Sequence, residues 1–382
     1  MLKFLRWFST GVMFIINIAL ALLFLACSYA SHLHPGQWWF TGFLGLFYPV
    51  FFVAMILFLL FWALLRSKKI LLPLLALAAG FSNFRLHMGL HFGSSFDAAK
   101  KSAGTIRVMD WNIRHFIPFD ESDFKPSRAR HQQKIFEEIS KNNPDLICFQ
   151  EFISMPKDGR EDPMHKLREM GYRYHRFAGQ DLFGTRQLSG IAIFSKLPII
   201  GGNVLPYPPN EEGNAENTVY ADVVSGADTF RVYSIHLQSF GFGNREYRAL
   251  DDVRSEGSSV KESRHVLRKM RNTFYWHGLQ SDFVARDVEQ SPYPALVMGD
   301  LNDVPGSYAY EVIRGDRKDA FLEKGAGLGT TFTSSSSFVL QMIPTLRIDN
   351  IFLPDEMSTE QFTIGGERLS DHAYLVADIR LK

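Results

Sequence analysis

Cysteine is scarce in this sequence: Cys27 and Cys148 are the only two among 382 residues. Cys27 lies in an apolar segment, and Cys148 lies in a short apolar run that is typical of a buried strand. Both are therefore expected to be packing residues, with no disulfide bond between them. So small a count indicates neither a cellular compartment nor redox chemistry.

The sequence also lacks an excess of positive charge. Lysine and arginine together number 41, and aspartate and glutamate number 40, so the formal net charge is +1. Residues 1–99 contain six basic residues and one acidic residue, which leaves residues 100–382 with a net charge of −4. A protein that binds long nucleic acids non-specifically usually has a basic surplus. The charge balance therefore does not favour nucleic acid as the partner of the larger part of the chain.

Charge is absent altogether from two long stretches near the amino terminus. Residues 8–29 and 38–65 contain no charged side chain over 22 and 28 positions. At a rise of about 1.5 Å per residue, each can cross about 30 Å of hydrocarbon as a helix. A third apolar segment, residues 70–90, can also cross if Arg85 faces the other helices or extends to the membrane surface. The sequence therefore predicts a membrane anchor over residues 1–95 with about three transmembrane helices.

Basic residues around these segments predict their orientation. Two precede the first segment, and Arg66, Lys68 and Lys69 lie between the second and the third, whereas residues 30–37 contain no lysine or arginine. By the positive-inside rule, the amino terminus and residues 66–69 are cytoplasmic. Three crossings then leave the rest of the chain outside the cytoplasm, anchored in a plasma or inner membrane. Without the third crossing, the orientation of the rest would be reversed.

The first apolar segment has two other interpretations. Ser28-Tyr29-Ala30 resembles a signal-peptide cleavage site, and the residues before Cys27 faintly resemble a lipoprotein acylation site. The segment is long, however, and further apolar segments follow it. A retained membrane anchor is therefore favoured over both alternatives.

From about residue 104 to residue 382, short strand-like runs interleave with helical patterns. Residues 217–224 and 229–236 alternate in polarity and are joined by Ser225-Gly226-Ala227-Asp228, which predicts a β-hairpin. A long helix is predicted over residues 263–287. Because hairpins are present, a purely parallel sheet is not expected. Residues 104–382 are therefore predicted to form one α/β domain.

One stretch of this domain, Leu296-Val297-Met298-Gly299-Asp300-Leu301-Asn302, ends an apolar run in a glycine, a carboxylate and an amide. The apolar part predicts a buried strand. Since side chains alternate along a strand, Asp300 and Asn302 are expected to project to the same side at its carboxyl end. Gly299 is expected to leave room for a ligand to approach the backbone.

Polar residues follow several other predicted strands in the same way. Taken singly, each is more typical of a turn, a solvated strand end or a packing histidine. Taken together, their carboxylate and amide oxygens suit Mg²⁺ or Mn²⁺, and two histidines without a cysteine argue against structural zinc. Such a cation, with carboxylates, amides and histidines around it, suits displacement at phosphorus. The set comprises Asn112, Glu151, His236, Asp300, Asn302, Asp349, Asp371 and His372.

The motifs that contain these residues occur in an order that resembles the endonuclease/exonuclease/phosphatase superfamily, which includes deoxyribonuclease I, exonuclease III-type enzymes, inositol polyphosphate 5-phosphatases and neutral sphingomyelinases. The resemblance covers roughly residues 105–382. It implies an α/β (α+β) fold, a four-layer αββα sandwich of two mixed β-sheets flanked by helices, here preceded by about three transmembrane helices. Asn350 departs from the family, which commonly has an aromatic residue there. The matching motifs are Trp111-Asn112, Gln150-Glu151, Gly190-Ile191-Ala192-Ile193-Phe194-Ser195-Lys196, Ile235-His236-Leu237, Gly299-Asp300-Leu301-Asn302, Arg347-Ile348-Asp349-Asn350-Ile351-Phe352 and Ser370-Asp371-His372.

The resemblance implies a metal site and a site for the attacking water. Glu151 would be the principal ligand of Mg²⁺ or Mn²⁺, with Asn112 and Asp371 close to the metal. Asp300 would orient or deprotonate the water. Asn302 would hold the phosphate.

The resemblance also implies roles for two histidines. His372 would contact the scissile phosphate as an acid, a base or a charge stabiliser, with Asp349 fixing its tautomer and orientation. His236 would donate to a phosphate oxygen from the other side. A histidine at this position favours the deoxyribonuclease I and sphingomyelinase pattern over the abasic-site repair pattern, which usually has an acidic or amide residue there.

The sequence therefore predicts a membrane-anchored, Mg²⁺-dependent hydrolase of phosphoric ester bonds, either a phosphodiesterase or a phosphatase. Its expected partners are the lipid bilayer, through the N-terminal helices, and a phosphoester substrate. The net charge of −4 and the anchor favour a lipid headgroup or a small organic phosphate over duplex DNA. Two alternatives stay open: an extracytoplasmic endonuclease or exonuclease, and a catalytically silent binding module tethered to the membrane.

Overall fold

The computed structural model describes residues 2–93, 96–118, 126–155, 162–181, 187–207, 217–243, 246–247, 260–333, 345–366 and 368–382. Four α-helices precede residue 90, and the others flank two β-sheets. In chain order the α-helices are α1 Leu2–Ser28, α2 Thr41–Leu64, α3 Leu71–Ala79, α4 Phe81–His87, α5 Pro126–Asn142, α6 Pro163–Glu169, α7 Val260–Glu289, α8 Tyr308–Arg314 and α9 Ala320–Lys324.

The β-strands begin just before residue 90 and continue to the carboxyl end of the chain. They are β1 Gly89–Leu90, β2 Thr105–Asn112, β3 Leu146–Ser154, β4 Tyr174–Asp181, β5 Leu188–Ser195, β6 Ile199–Pro206, β7 Asn217–Ser225, β8 Asp228–His236, β9 Ala295–Asp300, β10 Lys318–Asp319, β11 Ala326–Gly327, β12 Asp349–Leu353, β13 Met357–Gly365 and β14 Tyr374–Leu381. The predicted hairpin corresponds to β7 and β8, and the predicted long helix corresponds to α7.

Two segments among the described residues, Thr10–Ser28 and Thr41–Leu64, are helices long and apolar enough to cross a membrane. A third crossing requires Lys68–Ala79 and Phe81–His87 to act together, because the chain bends by 57° between them. The predicted third segment is thus not one straight helix. The described residues thus contain two helices that are long enough alone, or three crossings if the bent pair counts as one.

Close packing against α1 requires glycine at position 80, where the chain bends. A Cβ atom at this position would lie 2.6 Å from the Phe24 ring and from Ser28 Oγ, both on α1. The Tyr48 hydroxyl of α2 donates to the Gly80 carbonyl oxygen at 3.3 Å. Only glycine allows α1 to approach this closely, and Tyr48 satisfies a carbonyl group at the break.

The strands form two six-stranded mixed sheets, which confirms that the sheets are not purely parallel. The first sheet has the order β10-β12-β9-β8-β7-β6, and the second has the order β13-β14-β2-β3-β5-β4. In each sheet one neighbouring pair is parallel: β8 with β9 in the first and β2 with β3 in the second. The other described neighbours in both sheets pair antiparallel.

The sheets pack face to face, and the alternation of side chains separates three apolar cores. Val108 of β2 and Met298 of β9 belong to the core between the sheets. Their neighbours in sequence point the opposite way: Met109 packs in a core with residues of α5 and α6, and Val297 packs in a core with residues of α7 and α8. The described structure is thus the four-layer αββα sandwich that the resemblance implied.

The N-terminal helices pack directly against the sandwich. A Cβ atom on Gly42 of α2 would lie 2.2 Å from the Phe274 ring of α7. Arg347, two residues before β12, donates through Nη2 to the Leu86 carbonyl oxygen of α4 at 2.9 Å. β1 pairs with β11 as a short separate sheet. These contacts join the helices to the part of the sandwich that carries β9 and β12.

Candidate active site at the edge of the two sheets

The carboxyl ends of the parallel strands bring together five of the residues predicted for the site. Asn112 ends β2, and Glu151 lies in the neighbouring β3. His236 and Asp300 end β8 and β9 and are directly paired. Asp349 begins β12 and is the antiparallel partner of Asp300. Because parallel neighbours end at the same edge of a sheet, these side chains meet where the two sheets face each other.

His372 lies between two carboxylates at this edge. Its Nδ1 is 2.9 Å from Asp349 Oδ2, and its Nε2 is 3.7 Å from Asp300 Oδ2. The Nε2 atom of His236 is also 3.7 Å from Asp300 Oδ2, and all four side chains are buried. Burial opposes protonation, but Asp349 and Asp300 outweigh it and raise the pKa of His372 well above its ordinary value. The two carboxylates therefore favour the protonated form of the imidazole.

Asp300 is a buried carboxylate that accepts two hydrogen bonds. Asn112 Nδ2 donates to its Oδ2 at 3.1 Å, and the backbone N–H of Asn302 donates to its Oδ1 at 2.8 Å. Burial raises the pKa of Asp300 to about 6, even though the positive charge of His372 opposes the rise. A carboxyl group with a pKa near the working pH is suited to accepting a proton.

A bulge in β3 sets the position of Glu151. The register between β3 and β5 shifts between Phe149 and Phe152, and Glu151 adopts a φ of +50°. Asn112 Nδ2 lies 3.4 Å from Glu151 Oε1. A left-handed conformation at a residue other than glycine costs about 1–3 kcal/mol and is concentrated at functional sites. The bulge therefore holds Glu151 in a strained backbone conformation, which directs its carboxylate toward the end of β2.

His115 is a site residue that the sequence analysis did not find. Its Nδ1 is 3.1 Å from Glu151 Oε2, and its Nε2 is 2.7 Å from Ser189 Oγ. Burial opposes ionisation of Glu151, but the hydrogen bond and charge of His115 lower the pKa of Glu151 to about 2. His115 lies in a turn after β2, where no periodic pattern marks it. The one available signal was its closeness in sequence to Asn112.

Two details at the end of β9 differ from expectation. The strand stops at Asp300 and Asn302 has a φ of +48°, so the alternation argument does not extend to it. Asn302 Nδ2 instead donates to the Leu237 carbonyl oxygen at 3.0 Å, which links the loops after β8 and β9. Gly299 does not leave room for a ligand: a Cβ atom there would lie 2.1 Å from the Ile235 carbonyl oxygen. The close approach of β8 is what requires glycine.

Asp371 lies in the loop before β14 and is partly exposed. Arg114, another residue that the sequence analysis missed, has its Nε 3.6 Å from Asp371 Oδ2. Ser370 Oγ is 2.8 Å from the Asn112 carbonyl oxygen and 3.1 Å from Asp371 Oδ1. These contacts hold the loop that carries Asp371 and His372 against the end of β2.

Helix α7 contacts the loops of the site through residues that the sequence analysis also missed. His277 is fully buried, with Nδ1 3.2 Å from Asp303 Oδ2 and Nε2 2.8 Å from the Gln238 carbonyl oxygen. The backbone N–H of Gln238 donates to Gln280 Oε1 at 2.8 Å. Asp303 follows β9 and Gln238 follows β8. The helix therefore fixes the spacing between the two loops.

The donors at this edge are chemically suited to a divalent cation. Asp300, Asp349 and His372 each offer an atom within 4.8 Å of the others, and all three are buried. The Glu151 carboxylate, at the bulge in β3, offers further oxygen ligands next to Asn112, whose Oδ1 accepts a hydrogen bond from the backbone N–H of Arg114 at 3.1 Å. With a pKa of about 2, Glu151 carries its negative charge throughout the physiological range. Carboxylate and amide oxygens are the ligands that hard cations such as Mg²⁺ prefer.

Comparison with known families divides the chain in two. A sequence profile described as "Endonuclease/Exonuclease/phosphatase family" matches residues 111–372, which is more than half of the chain. A second profile, described as "Domain of unknown function (DUF8431)", matches residues 10–87. No curated protein matches the chain.

Solved structures show the same sandwich. An endonuclease/exonuclease/phosphatase family protein from Leptotrichia buccalis is 15% identical, with a TM-score of 0.50 over 72% of this chain and 100% of that one. The human Nocturnin catalytic domain with bound sulfate is 16% identical, with a TM-score of 0.50 over 77% of this chain and 100% of that one. An endonuclease/exonuclease/phosphatase from Beutenbergia cavernae is 24% identical, with a TM-score of 0.49 over 72% of each chain. The first two likenesses establish a common fold.

Proposed function

Since this chain belongs to the endonuclease/exonuclease/phosphatase family, we propose that it is a membrane-anchored, divalent-metal-dependent hydrolase of phosphoric ester bonds. The observation that carries the proposal is the convergence of Glu151, Asp300 and His372 at one sheet edge with pKa values displaced in different directions. Titratable neighbours whose environments separate their pKa values are suited to acid–base catalysis.

Glu151 is the proposed principal ligand of Mg²⁺ or Mn²⁺, with Asn112 and Asp371 beside it. Two features support this choice over the buried group around His372: the neighbouring His115 lowers the pKa of Glu151 to about 2, and His372 forms an ion pair with Asp349. When bound, the cation would polarise the phosphoryl group and offset charge that develops on its oxygens. His115 keeps Glu151 ionised and directs its carboxylate.

The remaining site residues are assigned to the reacting groups. Asp300 accepts the proton of the attacking water, for which a pKa of about 6 is favourable near neutral pH. His372, kept protonated by Asp349, donates to an oxygen of the phosphate or of the leaving group. His236 and Asn302 hold the other phosphate oxygens. Each of these roles follows the family pattern.

Three membrane crossings are proposed for the anchor, which comprises residues 1–95. Lys69 Nζ donates to the Thr10 carbonyl oxygen within α1, and the Tyr29 hydroxyl, just after the end of α1, donates to the Ala79 carbonyl oxygen. The segment between Lys69 and Ala79 therefore lies beside the part of α1 from Thr10 to Ser28, which is the part apolar enough to cross a membrane. With the basic residues on the cytoplasmic side, an odd number of crossings supports a hydrolase domain, from about residue 104 to the carboxyl end, outside the cytoplasm.

A lipid headgroup or a small organic phosphate is the proposed substrate class. The net charge of −4 over residues 100–382 does not favour duplex DNA. Leu46 of α2 packs with Val304 and Ile348, which lie in the loops after β9 and before β12. The site loops are therefore packed against a helix that enters the membrane. That contact keeps the site near the bilayer surface.

The test is a substrate panel for the purified full-length chain in lipid vesicles. Phosphate or headgroup release is measured from sphingomyelin, inositol phosphates, a generic diester and DNA, with Mg²⁺ and with EDTA. Metal-dependent release from a lipid or a small phosphate is expected. Faster turnover of DNA would support the nuclease alternative. No turnover of any substrate by a protein that binds Mg²⁺ would support the silent binding module.

A further inference from the structure

Helix α7 carries an exposed stripe of arginines and large apolar side chains. The exposed fractions of Leu267, Tyr275 and Leu279 are 53%, 42% and 38%. At 100° per residue, the members of the stripe lie within about 120° of each other on the helix. The stripe comprises Arg264, Leu267, Arg268, Arg271, Tyr275 and Leu279, and its three arginines are all exposed.

The stripe is continuous with the end of the membrane helices. The guanidinium group of Arg271 lies 5.5 Å from the centre of the Trp39 ring, just before α2. Beside the stripe, the Phe274 ring packs edge to face on Phe43 of α2 at 5.1 Å. At its other end, a Cβ atom on Gly278 would lie 2.9 Å from Pro35 in the loop between α1 and α2. Helix α7 is thus held against the point where the chain enters and leaves the membrane.

Among the residues that the structure describes, the arginines of the stripe have no acidic ion-pair partner. Within the described part of the chain, Arg264, Arg268 and Arg271 form no ion pair, whereas nearby Lys269, outside the stripe, pairs with Glu246 at 3.1 Å. Arginines interleaved with leucine and tyrosine on one helix face are typical of helices that lie in the headgroup region of a bilayer. Each basic residue near an anionic surface adds about 1 kcal/mol to the attraction.

We propose that α7 lies on the outer surface of the membrane that the N-terminal helices cross, with its exposed stripe in the headgroup region. The partner is the anionic bilayer surface. The apolar members of the stripe enter the boundary with the acyl chains, and the arginines contact lipid phosphates. The proposal rests on the membrane anchoring proposed above and not on the identity of the substrate.

This placement gives α7 two distinct faces. Leu267 and Tyr275 point to the bilayer, whereas His277 and Gln280 lie on the opposite side of the helix and hold the loops after β8 and β9. The orientation of the helix on the membrane would therefore fix the orientation of the catalytic edge relative to the lipid headgroups.

The test measures lipid contact at single labelled positions of the full-length chain in vesicles. Leu267→Cys and Tyr275→Cys are labelled with an environment-sensitive fluorophore, and quenching by spin-labelled lipid is compared with quenching by iodide in water. The native cysteines are buried and do not compete for the label. Ile200→Cys is the matched control, because Ile200 is 61% exposed on β6. Leu57→Cys, whose side chain is 60% exposed on α2, reports the anchor itself.

Quenching by lipid is expected to be at least about twofold stronger at positions 267 and 275 than at position 200. If positions 267 and 275 behave like position 200 while position 57 is quenched by lipid, the anchor is correct and the α7 proposal is wrong. If position 57 also fails to respond to lipid, the anchoring itself is wrong.

Charge provides a second, independent measurement. In vesicles that contain phosphatidylglycerol, Arg264→Gln and Arg268→Gln should each lower the ratio of lipid-contacting to water-exposed label at position 275 by roughly fivefold. The matched control is Arg130→Gln on the exposed face of α5, which should leave the ratio unchanged. Equal responses of all three variants, or no dependence on phosphatidylglycerol, would contradict the electrostatic part of the proposal.

Discussion

Two buried sets of charged side chains handle charge in opposite ways. Arg107 of β2 donates through Nε and Nη2 to the two carboxylate oxygens of Asp378 at 2.6 and 2.9 Å. Its Nη1 donates to the carbonyl oxygens of Ala98 and Asn142 at 2.7 and 2.8 Å. Both charged side chains are buried, and their charges are matched one to one. This pair lies inside the sandwich, away from the site residues at the end of β2.

The active-site edge, in contrast, gathers several carboxylates that share neighbouring histidines instead of forming matched pairs. Glu151, Asp300, Asp349 and Asp371 lie around His372, with Arg114 at 3.6 Å from one carboxylate. Breaking a buried ion pair destabilises the fold, because it leaves one charge buried without a partner. Neighbouring carboxylates, by contrast, repel each other, which shifts their pKa values and favours the binding of cations. The first arrangement serves the structure. The second suits the metal binding and acid–base chemistry proposed above.

The largest expected effect is on the rate of catalysis at the active-site edge. Asp300→Asn keeps the volume of the side chain but removes the proton acceptor, so kcat should fall by about 10²–10⁴-fold. The chain should still fold, because the variant keeps the side-chain volume and reduces the negative charge next to Asp349 at the edge of the sheets. Steady-state kinetics and thermal unfolding check both statements, with Asp228→Asn in the exposed hairpin turn as the control. An unchanged kcat would remove Asp300 from the reaction.

The next largest effect is on the stability of the fold and concerns the buried pair of Arg107 and Asp378. Arg107→Met leaves Asp378 buried without its cation, which should lower the free energy of unfolding by about 3–5 kcal/mol. Arg130→Met, on the surface of α5, should change it by no more than about 0.5 kcal/mol. Denaturant unfolding of both variants measures the difference. Similar losses in the two would mean that the buried pair contributes no more than a surface charge.

A smaller effect concerns the coupling between Asp349 and His372 within the site. Asp349→Asn leaves His372 in place but removes the carboxylate that keeps it protonated and oriented. The losses in kcat/KM for Asp349→Asn and His372→Ala should therefore be strongly non-additive, with a coupling free energy of about 0.5–3 kcal/mol. A double-mutant cycle on a diester substrate measures this coupling. Strictly additive losses would show that the two residues do not act as one unit.

The smallest effect concerns His115. His115→Gln removes the charge beside Glu151, so the pKa of Glu151 should rise from its low value toward the ordinary range. Loss of a residue that orients a metal ligand typically weakens metal affinity by about 10–100-fold. Calorimetric titration with Mn²⁺ measures the change, and His165→Gln on exposed α6 provides the control. Equal affinities in the two variants would assign His115 a purely structural role.

Local sequence pattern was sufficient wherever the fold follows from strand periodicity. Apolar runs that end in a polar residue correctly located the ends of β2 and β8, because alternation and burial are local properties of a strand. Cys27 and Cys148 are buried and free, as their apolar surroundings predicted. The bulge that turns Glu151 was not predictable, since it depends on the register of β3 against β5.

Non-local contacts account for what the sequence did not reveal. Gly299 looked like space for a ligand, but its neighbour is the backbone of β8, which comes from a distant part of the chain. His277 lies in an ordinary helical pattern, and only tertiary packing brings it between the loops after β8 and β9. The hydrogen bond from Arg347 to Leu86 joins residues that are 261 positions apart. No local pattern encodes such a contact.

The most direct test of the central claim is metal binding and turnover measured on the same samples. The full-length wild type, Glu151→Gln and the control Glu137→Gln, on the exposed face of α5, are titrated with Mg²⁺ and Mn²⁺ and assayed for phosphoester hydrolysis with and without EDTA. The wild type and the control should bind the metal, lose activity in EDTA and regain it when metal is restored, whereas Glu151→Gln should fold normally but bind and react weakly. Undiminished hydrolysis in EDTA, or equal metal affinity in Glu151→Gln, would contradict a metal-dependent site at this edge.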